Sequence, residues 1–326
     1  MLFRSQVDAL PATELSGFQL DLDMSDTLVV AISQSGTTTD TNRTVDLART
    51  RGAAVLAIVN RRGSELAAKA DGVLYTSDGR DVEMSVASTK AFYSQVAAGA
   101  LYACALSDAM GSGSNDERHQ LLSALRTIPD AMQSVLGSRR AIAEAAREFA
   151  PARRYWTVVG NGFNAVAAEE VRIKLSELCY KSIACDITED KKHIDLSCEP
   201  MIIVCATGLN DGTASDVAKE IAIYRAHKAL PIVIATEGEQ RFDAAAAVIS
   251  VPNVDHRVAF ILSVMVGHLF GYEAALAIDS LARPLRAARE VIEHAVERGG
   301  VGSELDRKST RLNSSHSSVS RMPSSA

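Results

Sequence analysis

The stretch from Thr27 to Asp40 reads TLVVAISQSGTTTD, and it decides the fold. Its first part, Thr27–Ile32, is a short apolar run of the kind found in strands that are buried on both faces of a parallel sheet. Small hydroxyl residues and a glycine follow, and then a segment that favours a helix through Arg51. An apolar strand, a polar turn and a helix in this order predict one unit of an α/β fold.

The same order of elements occurs twice along the chain, at an offset of about 174 residues. The first copy is expected to contain strands at Thr27–Ile32, Ala54–Val59 and Gly72–Thr76, and a long apolar helix at Ala87–Leu106. The second is expected to contain strands at Met201–Cys205, Pro231–Ala235 and Ala247–Val251, and a long helix at Val258–Ile278. We therefore predict two tandem α/β domains, each a mostly parallel sheet with helices on both faces.

The second copy also has an opening strand, Tyr155–Val159, and an opening helix, Asn164–Tyr180, which the first copy lacks. We therefore expect the first copy to be truncated. Met1–Pro11 and the serine-rich, basic segment Arg307–Ala326 resemble read-through of sequencing adaptors. Residues 1–12 are therefore expected to be a non-native leader, and residues 294–326 a disordered, non-native tail. The expected domains are residues 13–115 and 151–293, with a helical linker over residues 116–150.

The composition narrows the class of protein. With 47% hydrophobic and 23% charged residues and a formal net charge of −6, the chain is typical of a globular protein and lacks the positive charge that nucleic acid requires. Its five cysteines form no CxxC pair, which indicates a reducing, cytoplasmic location with no disulfide framework and no metal site. No cofactor is expected. The apolar segment Val258–Ile278 fits a buried core or subunit-interface helix better than a membrane span, because polar residues interrupt it.

The turn Ser33–Thr38 has the chemistry of a phosphate site. A helix N-terminus offers unpaired N–H groups, hydroxyl side chains add donors, and Gly36 lets the backbone approach a ligand closely. The alternative is an ordinary capped turn, since Ser and Thr favour helix starts. The matching turn of the second copy, Ala206–Asn210, lacks the serine cluster, and this difference favours a ligand in the first copy.

Three strings make a family resemblance visible. They are AISQSG at Ala31–Gly36 followed by Thr38 and Asp40, ADGVLYT at Ala70–Thr76, and VASTKAF at Val86–Phe92. The chain resembles, over roughly residues 13–293 and more weakly in its second half, the tandem sugar-isomerase (SIS) domains of the glutamine–fructose-6-phosphate aminotransferase family. The resemblance implies that a hexose 6-phosphate binds to the first domain.

The resemblance also assigns roles around the sugar. It implies that the phosphate is held by Ser33, Gln34, Ser35 and Thr38, and that the sugar site is lined by Val86, Ala87 and Ser88. A capped helix start, with Ser88 as the N-cap, is an alternative that is compatible with this role.

In the second half, the string EVRIKLSELCY at Glu170–Tyr180 matches the family. By resemblance, Glu177 moves a proton between C1 and C2 of the sugar and Lys174 assists at the hydroxyls, a task that suits a carboxylate beside a cation. The alternative is a surface ion pair, because the two residues are three apart on one helix face. His193, sixteen residues beyond Glu177, matches the ring-opening histidine, which in the family comes from the neighbouring subunit and implies a homodimer.

Some positions depart from the family pattern. Thr37 replaces an acidic residue, Ile194–Asp195 replaces Gly-Pro, and the lysine that forms a Schiff base with the ketose falls near Arg289. A guanidinium group stays protonated and cannot form that imine. The glutaminase domain is expected as a partner in the intact protein.

Three functions remain open. The retained Glu177, Lys174 and His193 favour the sugar-phosphate isomerase part of such an aminotransferase. Arg289 and Thr37 favour a non-catalytic sugar-phosphate sensor, and a fructosamine-phosphate deglycase is a third alternative on this type of fold.

Overall fold

The computed structural model describes residues 7–78, 88–193 and 196–297. These residues form two compact units, which are divided between Thr127 and Ile128.

The first unit is built on a three-stranded parallel sheet with the order β1-β2-β3. The strands are β1 (Leu28–Ser33), β2 (Ala54–Val59) and β3 (Gly72–Tyr75). The helices are α1 (Ala12–Glu14), which leads into a π-helical turn at Leu15–Gln19, α2 (Thr39–Thr50), α3 (Glu65–Lys69) and α4 (Lys90–Ala109). Helix α5 (Asn115–Gly137) begins in this unit. The core between the sheet and its helices consists of Ala31, Val45, Val55, Ala57, Val59 and Leu66.

The second unit is built on a five-stranded parallel sheet with the order β5-β4-β6-β7-β8. The strands are β4 (Trp156–Gly160), β5 (Ala184–Asp186), β6 (Met201–Ala206), β7 (Leu230–Thr236) and β8 (Ala247–Val251). The helices are α6 (Arg139–Phe149), α7 (Phe163–Cys179), α8 (Thr188–His193), α9 (Asp211–Ala226) and α10 (Phe260–Glu297). Every residue of β4 and β6 is buried, as expected for central parallel strands covered on both faces.

The seven predicted strands are all present, each within one residue of its expected bounds. Strand β5 was not predicted, because Ala184–Asp186 is too short and too polar to give an apolar run. The first sheet therefore has three strands and the second has five, so the first is shorter by two strands, whereas a difference of one strand was expected.

Helix α10 extends to Glu297, well beyond the predicted end at Ile278 and into the segment expected to be disordered. The expected end at Ile278 rests on the apolar run, which stops there, whereas the helix continues through Pro284. Ion pairs one helical turn apart, such as Arg283 with Asp279 at 3.1 Å and Arg289 with Glu293 at 2.6 Å, stabilise the extension instead.

By length and composition, α10 is the one helix of the described residues that is apolar enough to cross a membrane. However, 67% of its most apolar window is buried inside the protein, where α10 packs on α7 and α6. The helix therefore fits the expected role of a core helix.

Candidate functional site

The turn after β1 is tightly folded around Gly36. Its φ is +65°, and a Cβ atom on Gly36 would lie 2.2 Å from Ser64 Oγ, so only glycine fits without a shift. The Gly36 amide donates to Ser33 Oγ at 3.0 Å, and the Thr37 amide donates to Ser35 Oγ at 3.3 Å. Ser33 is buried and shapes the turn from inside, whereas Ser35 is only partly buried.

Asn42 holds the other side of the turn to α2. Its side-chain amide donates to the carbonyl groups of Gly36 at 3.2 Å and of Thr38 at 3.0 Å. Thr38 is the N-cap residue of α2, but its side chain makes no capping hydrogen bond. The exposed Thr38 hydroxyl and the first turn of α2, whose N–H groups have no helical partner, therefore lie together at the end of β1.

The matching turn in the second unit is closed by protein groups. The Asn164 side chain donates to the Thr207 carbonyl at 2.8 Å, and its oxygen accepts from the hydroxyls of Thr207 at 3.1 Å and Ser263 at 3.2 Å. The Gly208 amide donates to Thr236 Oγ1 at 2.9 Å. Asn210 also caps α9, because its side chain accepts from the Thr213 amide at 2.9 Å. Capping therefore explains this turn, whereas the Thr38 hydroxyl in the first unit makes no capping hydrogen bond.

Further polar groups stand at the same edge of the first sheet. Asn60, at the end of β2, is buried, and its Oδ1 accepts from Thr76 Oγ1 at 3.3 Å and from Ser77 Oγ at 2.5 Å. Its backbone amide donates to the Gln34 carbonyl at 3.2 Å. The carboxyl ends of parallel strands are where open α/β sheets bind ligands. Asn60 was not singled out from the sequence, although an amide side chain directly after a buried strand is a usable signal.

A second polar cluster lies on α7 in the second unit. Lys174 is buried, and its Nζ lies 3.1 Å from Glu177 Oε2 and 3.7 Å from Glu170 Oε1. Glu170 Oε1 in turn lies 3.1 Å from Nε2 of His268, on α10. The Glu177 side chain is 34% exposed, against 8% for Lys174, so the row of charges leads from the helix interface towards solvent. This burial argues against the simple surface ion pair.

Two glycines on α10 make this cluster possible. A Cβ atom on Gly267 would lie 2.2 Å from Val171 Cγ2, and one on Gly271 would lie 3.1 Å from Leu175 Cδ2. The helices therefore approach each other closely, which brings His268 to Glu170. Glu170 could be linked to this cluster from the sequence, because it is one helical turn away from Lys174. His268 could not be linked to it in this way, since it is 98 residues away from Glu170 in sequence.

The other predicted residues are placed as follows. Val86 and Ala87 lie outside the described residues, and so do Ile194 and Asp195. His193 is the last residue of α8, and its side chain is likewise outside the described part of the chain.

Two further predictions concern helix ends. Helix α4 begins at Lys90 with Thr89 as its N-cap, so Ser88 is not the N-cap that the alternative reading required. Arg289 lies on the exposed end of α10, and the Glu293 carboxylate raises the pKa of its guanidinium group further. An imine at Arg289 is therefore excluded.

Among residues 7–78, 88–193 and 196–297, no group of three or more His, Cys, Asp and Glu side chains is placed to hold a metal ion.

Comparisons with known proteins identify a domain family and related sequences. The SIS domain family model matches residues 6–105. The chain is 34% identical over 257 residues to glutamine–fructose-6-phosphate aminotransferase [isomerizing] of Corynebacterium glutamicum, covering 77% of this chain and 41% of that protein. It is also 34% identical over 274 residues to the enzyme of the same name from Thermus thermophilus, covering 82% of this chain and 44% of that protein. The chain thus spans less than half the length of these relatives.

Solved structures share the fold. The C-terminal domain of glucosamine-fructose-6-phosphate aminotransferase from Francisella tularensis superimposes with a TM-score of 0.74 at 22% identity, covering 82% of this chain and 74% of that one. Tagatose-6-phosphate ketose/aldose isomerase from Escherichia coli gives a TM-score of 0.63 at 19% identity, covering 82% of this chain and 74% of that one.

Proposed function

The chain carries a SIS domain and is homologous, over most of its length, to glutamine–fructose-6-phosphate aminotransferases, and on this premise we propose that it is the sugar-phosphate isomerase part of such an enzyme. It binds fructose 6-phosphate or glucosamine 6-phosphate and interconverts ketose and aldose forms in amino-sugar synthesis. The observation that carries the proposal is the buried Lys174 held against Glu177 on α7.

The phosphate is bound at the turn after β1. The hydroxyls of Ser35 and Thr38 and the N–H groups at the start of α2 supply donors, and the helix dipole favours the negative charge. Ser33 and Asn42 keep the turn in shape through their hydrogen bonds to Gly36. Gln34 belongs to the same turn, and Val86, Ala87 and Ser88 are proposed to line the sugar.

Glu177 transfers the proton. Its carboxylate removes a proton from C1 or C2 of the open-chain sugar and returns it to the neighbouring carbon, while a second proton passes between the C1 and C2 oxygens. The carbonyl and hydroxyl groups thereby exchange places without net gain or loss of atoms. The Lys174 ammonium group stabilises the negative charge that develops on the enediolate oxygen. Burial strengthens this effect, because nearby water no longer screens the charge.

The wider organisation follows the same proposal. We propose that the two sheets are tandem SIS domains over residues 13–115 and 151–293, joined by helices in residues 116–150. The intact protein carries a glutaminase domain and forms a homodimer, in which His193 is supplied across subunits to open the sugar ring.

A sugar-phosphate sensor is the second candidate, and Arg289 favours it. The arginine stands where the resemblance places the Schiff-base lysine, and its ion pair with Glu293 leaves it on the exposed end of α10. A sensor needs the phosphate turn but not the proton transfer by Glu177.

The test is the conversion of fructose 6-phosphate to glucose 6-phosphate by the full chain. Glu177→Gln should lower kcat by about 10²- to 10⁴-fold, the usual contribution of a positioned acid–base group. Glu169→Gln, on an exposed position of the same helix, is the matched control and should leave kcat unchanged. Wild-type turnover in Glu177→Gln would refute the isomerase mechanism, and binding of the sugar phosphate without any wild-type turnover would favour the sensor.

A further inference from the structure

His268 is a buried histidine that the proposed reaction does not use. It lies on α10, where the close approach at Gly267 and Gly271 brings its Nε2 to 3.1 Å from Glu170 Oε1. The side chains of His268 and Glu170 are 7% and 13% exposed, so this contact is shielded from water. With the Glu170 oxygen as the acceptor, the tautomer that carries its proton on Nε2 makes this hydrogen bond.

The oxygen that His268 contacts is the one that faces Lys174. Glu170 Oε1 lies 3.7 Å from Lys174 Nζ, which is too long for a good hydrogen bond. Glu177 Oε2 lies 3.1 Å from the same ammonium group and accepts its hydrogen bond. Two carboxylates thus flank one ammonium group, and His268 contacts the oxygen of the more buried one, Glu170.

We propose that His268 is a positioning residue: by donating to Glu170, it leaves the Lys174 ammonium group beside Glu177. Without this donor, the buried Glu170 carboxylate would keep only the long 3.7 Å contact with Lys174 Nζ, and a poorly paired buried charge is costly. The nearest replacement donor is Lys174, which would move towards Glu170 and away from Glu177. The ammonium group would then lie further from the enediolate. Because the enediolate belongs to the proposed isomerisation, this inference rests on the proposed function.

Two substitutions separate positioning from simple packing. His268→Gln keeps a donor, because the glutamine amide nitrogen lies about as far along the side chain as Nε2 of histidine. His268→Leu removes the donor while it keeps the volume. A purely structural role would lower the melting temperature of both variants and would not separate their turnover.

The kinetic expectation is a kcat effect with little change in KM. His268→Leu should lower the kcat for fructose 6-phosphate isomerisation by about tenfold or more, because the cation that stabilises the transition state is displaced. KM should stay within about twofold, since the phosphate is bound elsewhere. His268→Gln should recover most of the wild-type kcat. Equal losses in both variants, or none in either, would overturn the proposal.

Crystal structures of the two variants provide a readout that needs no activity. In His268→Leu, Lys174 Nζ should lie within hydrogen-bond distance of Glu170, and in His268→Gln it should stay with Glu177. An unmoved Lys174 in His268→Leu would overturn the proposal whether or not the protein is an isomerase. A wild-type chain without turnover would instead refute the proposed function, and the position of Lys174 would still decide the role of His268.

Discussion

Replacing Gly36 by Ala tests whether the turn after β1 is as tight as its geometry indicates. Two costs add. Alanine at a φ of +65° loses about 1–2 kcal/mol because the left-handed conformation crowds its Cβ atom. The same Cβ would lie 2.2 Å from Ser64 Oγ, 2.6 Å from Ser64 Cβ and 2.9 Å from Val59 Cγ2, and such overpacking costs about 1–3 kcal/mol. We expect Gly36→Ala to lower the free energy of unfolding by about 3 kcal/mol.

Gly63 provides the matched control. Its φ is +66°, but a Cβ atom there would meet nothing within 4 Å, so Gly63→Ala should show only the backbone cost of about 1–2 kcal/mol. Ser64→Gly removes both atoms that collide most closely with the new methyl group, and glycine replaces serine at a helix N-cap at a cost of only a few tenths of a kcal/mol.

Urea unfolding followed by circular dichroism measures these differences. The double variant of Gly36→Ala with Ser64→Gly should recover at least about 1 kcal/mol relative to the sum of the single effects. If Gly36→Ala is no more destabilising than Gly63→Ala, or if the double variant shows no coupling to Ser64, the account of the turn is wrong.

Two further predictions concern titrating groups in the second unit. The Arg257 guanidinium group lowers the pKa of Asp255 to about 2, so Asp255 stabilises the fold above its unfolded pKa near 3.8 and loses this contribution as the pH falls towards 2. Asp255→Asn should therefore lower the free energy of unfolding by about 1–2 kcal/mol at pH 7 and by almost nothing at pH 2. An equal cost at both pH values in urea unfolding would contradict this. Burial raises the pKa values of Cys179 and Cys185 to about 11. At pH 8, iodoacetamide should therefore alkylate these two thiols about 100-fold more slowly than it alkylates glutathione, and peptide mass spectrometry measures the rates. Alkylation as fast as that of glutathione would show that burial does not protect these thiols.

The strands could be predicted from the sequence because each central strand is an uninterrupted apolar run. The strand β5 and the long end of α10 could not, because pairing with β4 and a series of ion pairs stabilise them without an apolar pattern. Local sequence therefore identifies the buried elements of this fold and misses those that depend on neighbours.

The contacts of the candidate site likewise include some that the sequence predicts and some that it does not. Lys174 and Glu177 share one helix face, and their spacing alone indicates an interaction. The contact of His268 with Glu170 spans 98 residues, and the closure of the second turn by Asn164 and Thr207 spans 43. Such contacts arise from the packing of α7 against α10 and β6, which no single segment encodes.

The central claim is that the turn after β1 binds the phosphate of a sugar, and isothermal titration calorimetry tests it most directly. Ser33 is unsuitable for substitution because its hydroxyl oxygen accepts from Gly36 inside the fold. Ser35→Ala combined with Thr38→Ala removes two hydroxyls at about 1 kcal/mol each, so the Kd of fructose 6-phosphate should rise about 30-fold. Thr50→Ala, at the other end of α2, is the control and should bind as the wild type does.

In the same calorimetric experiment, fructose without its phosphate should bind at least about 100-fold more weakly than fructose 6-phosphate, because the charge-assisted hydrogen bonds go to the phosphate. An unchanged Kd in the double variant, or equal binding of fructose and fructose 6-phosphate, would contradict the claim.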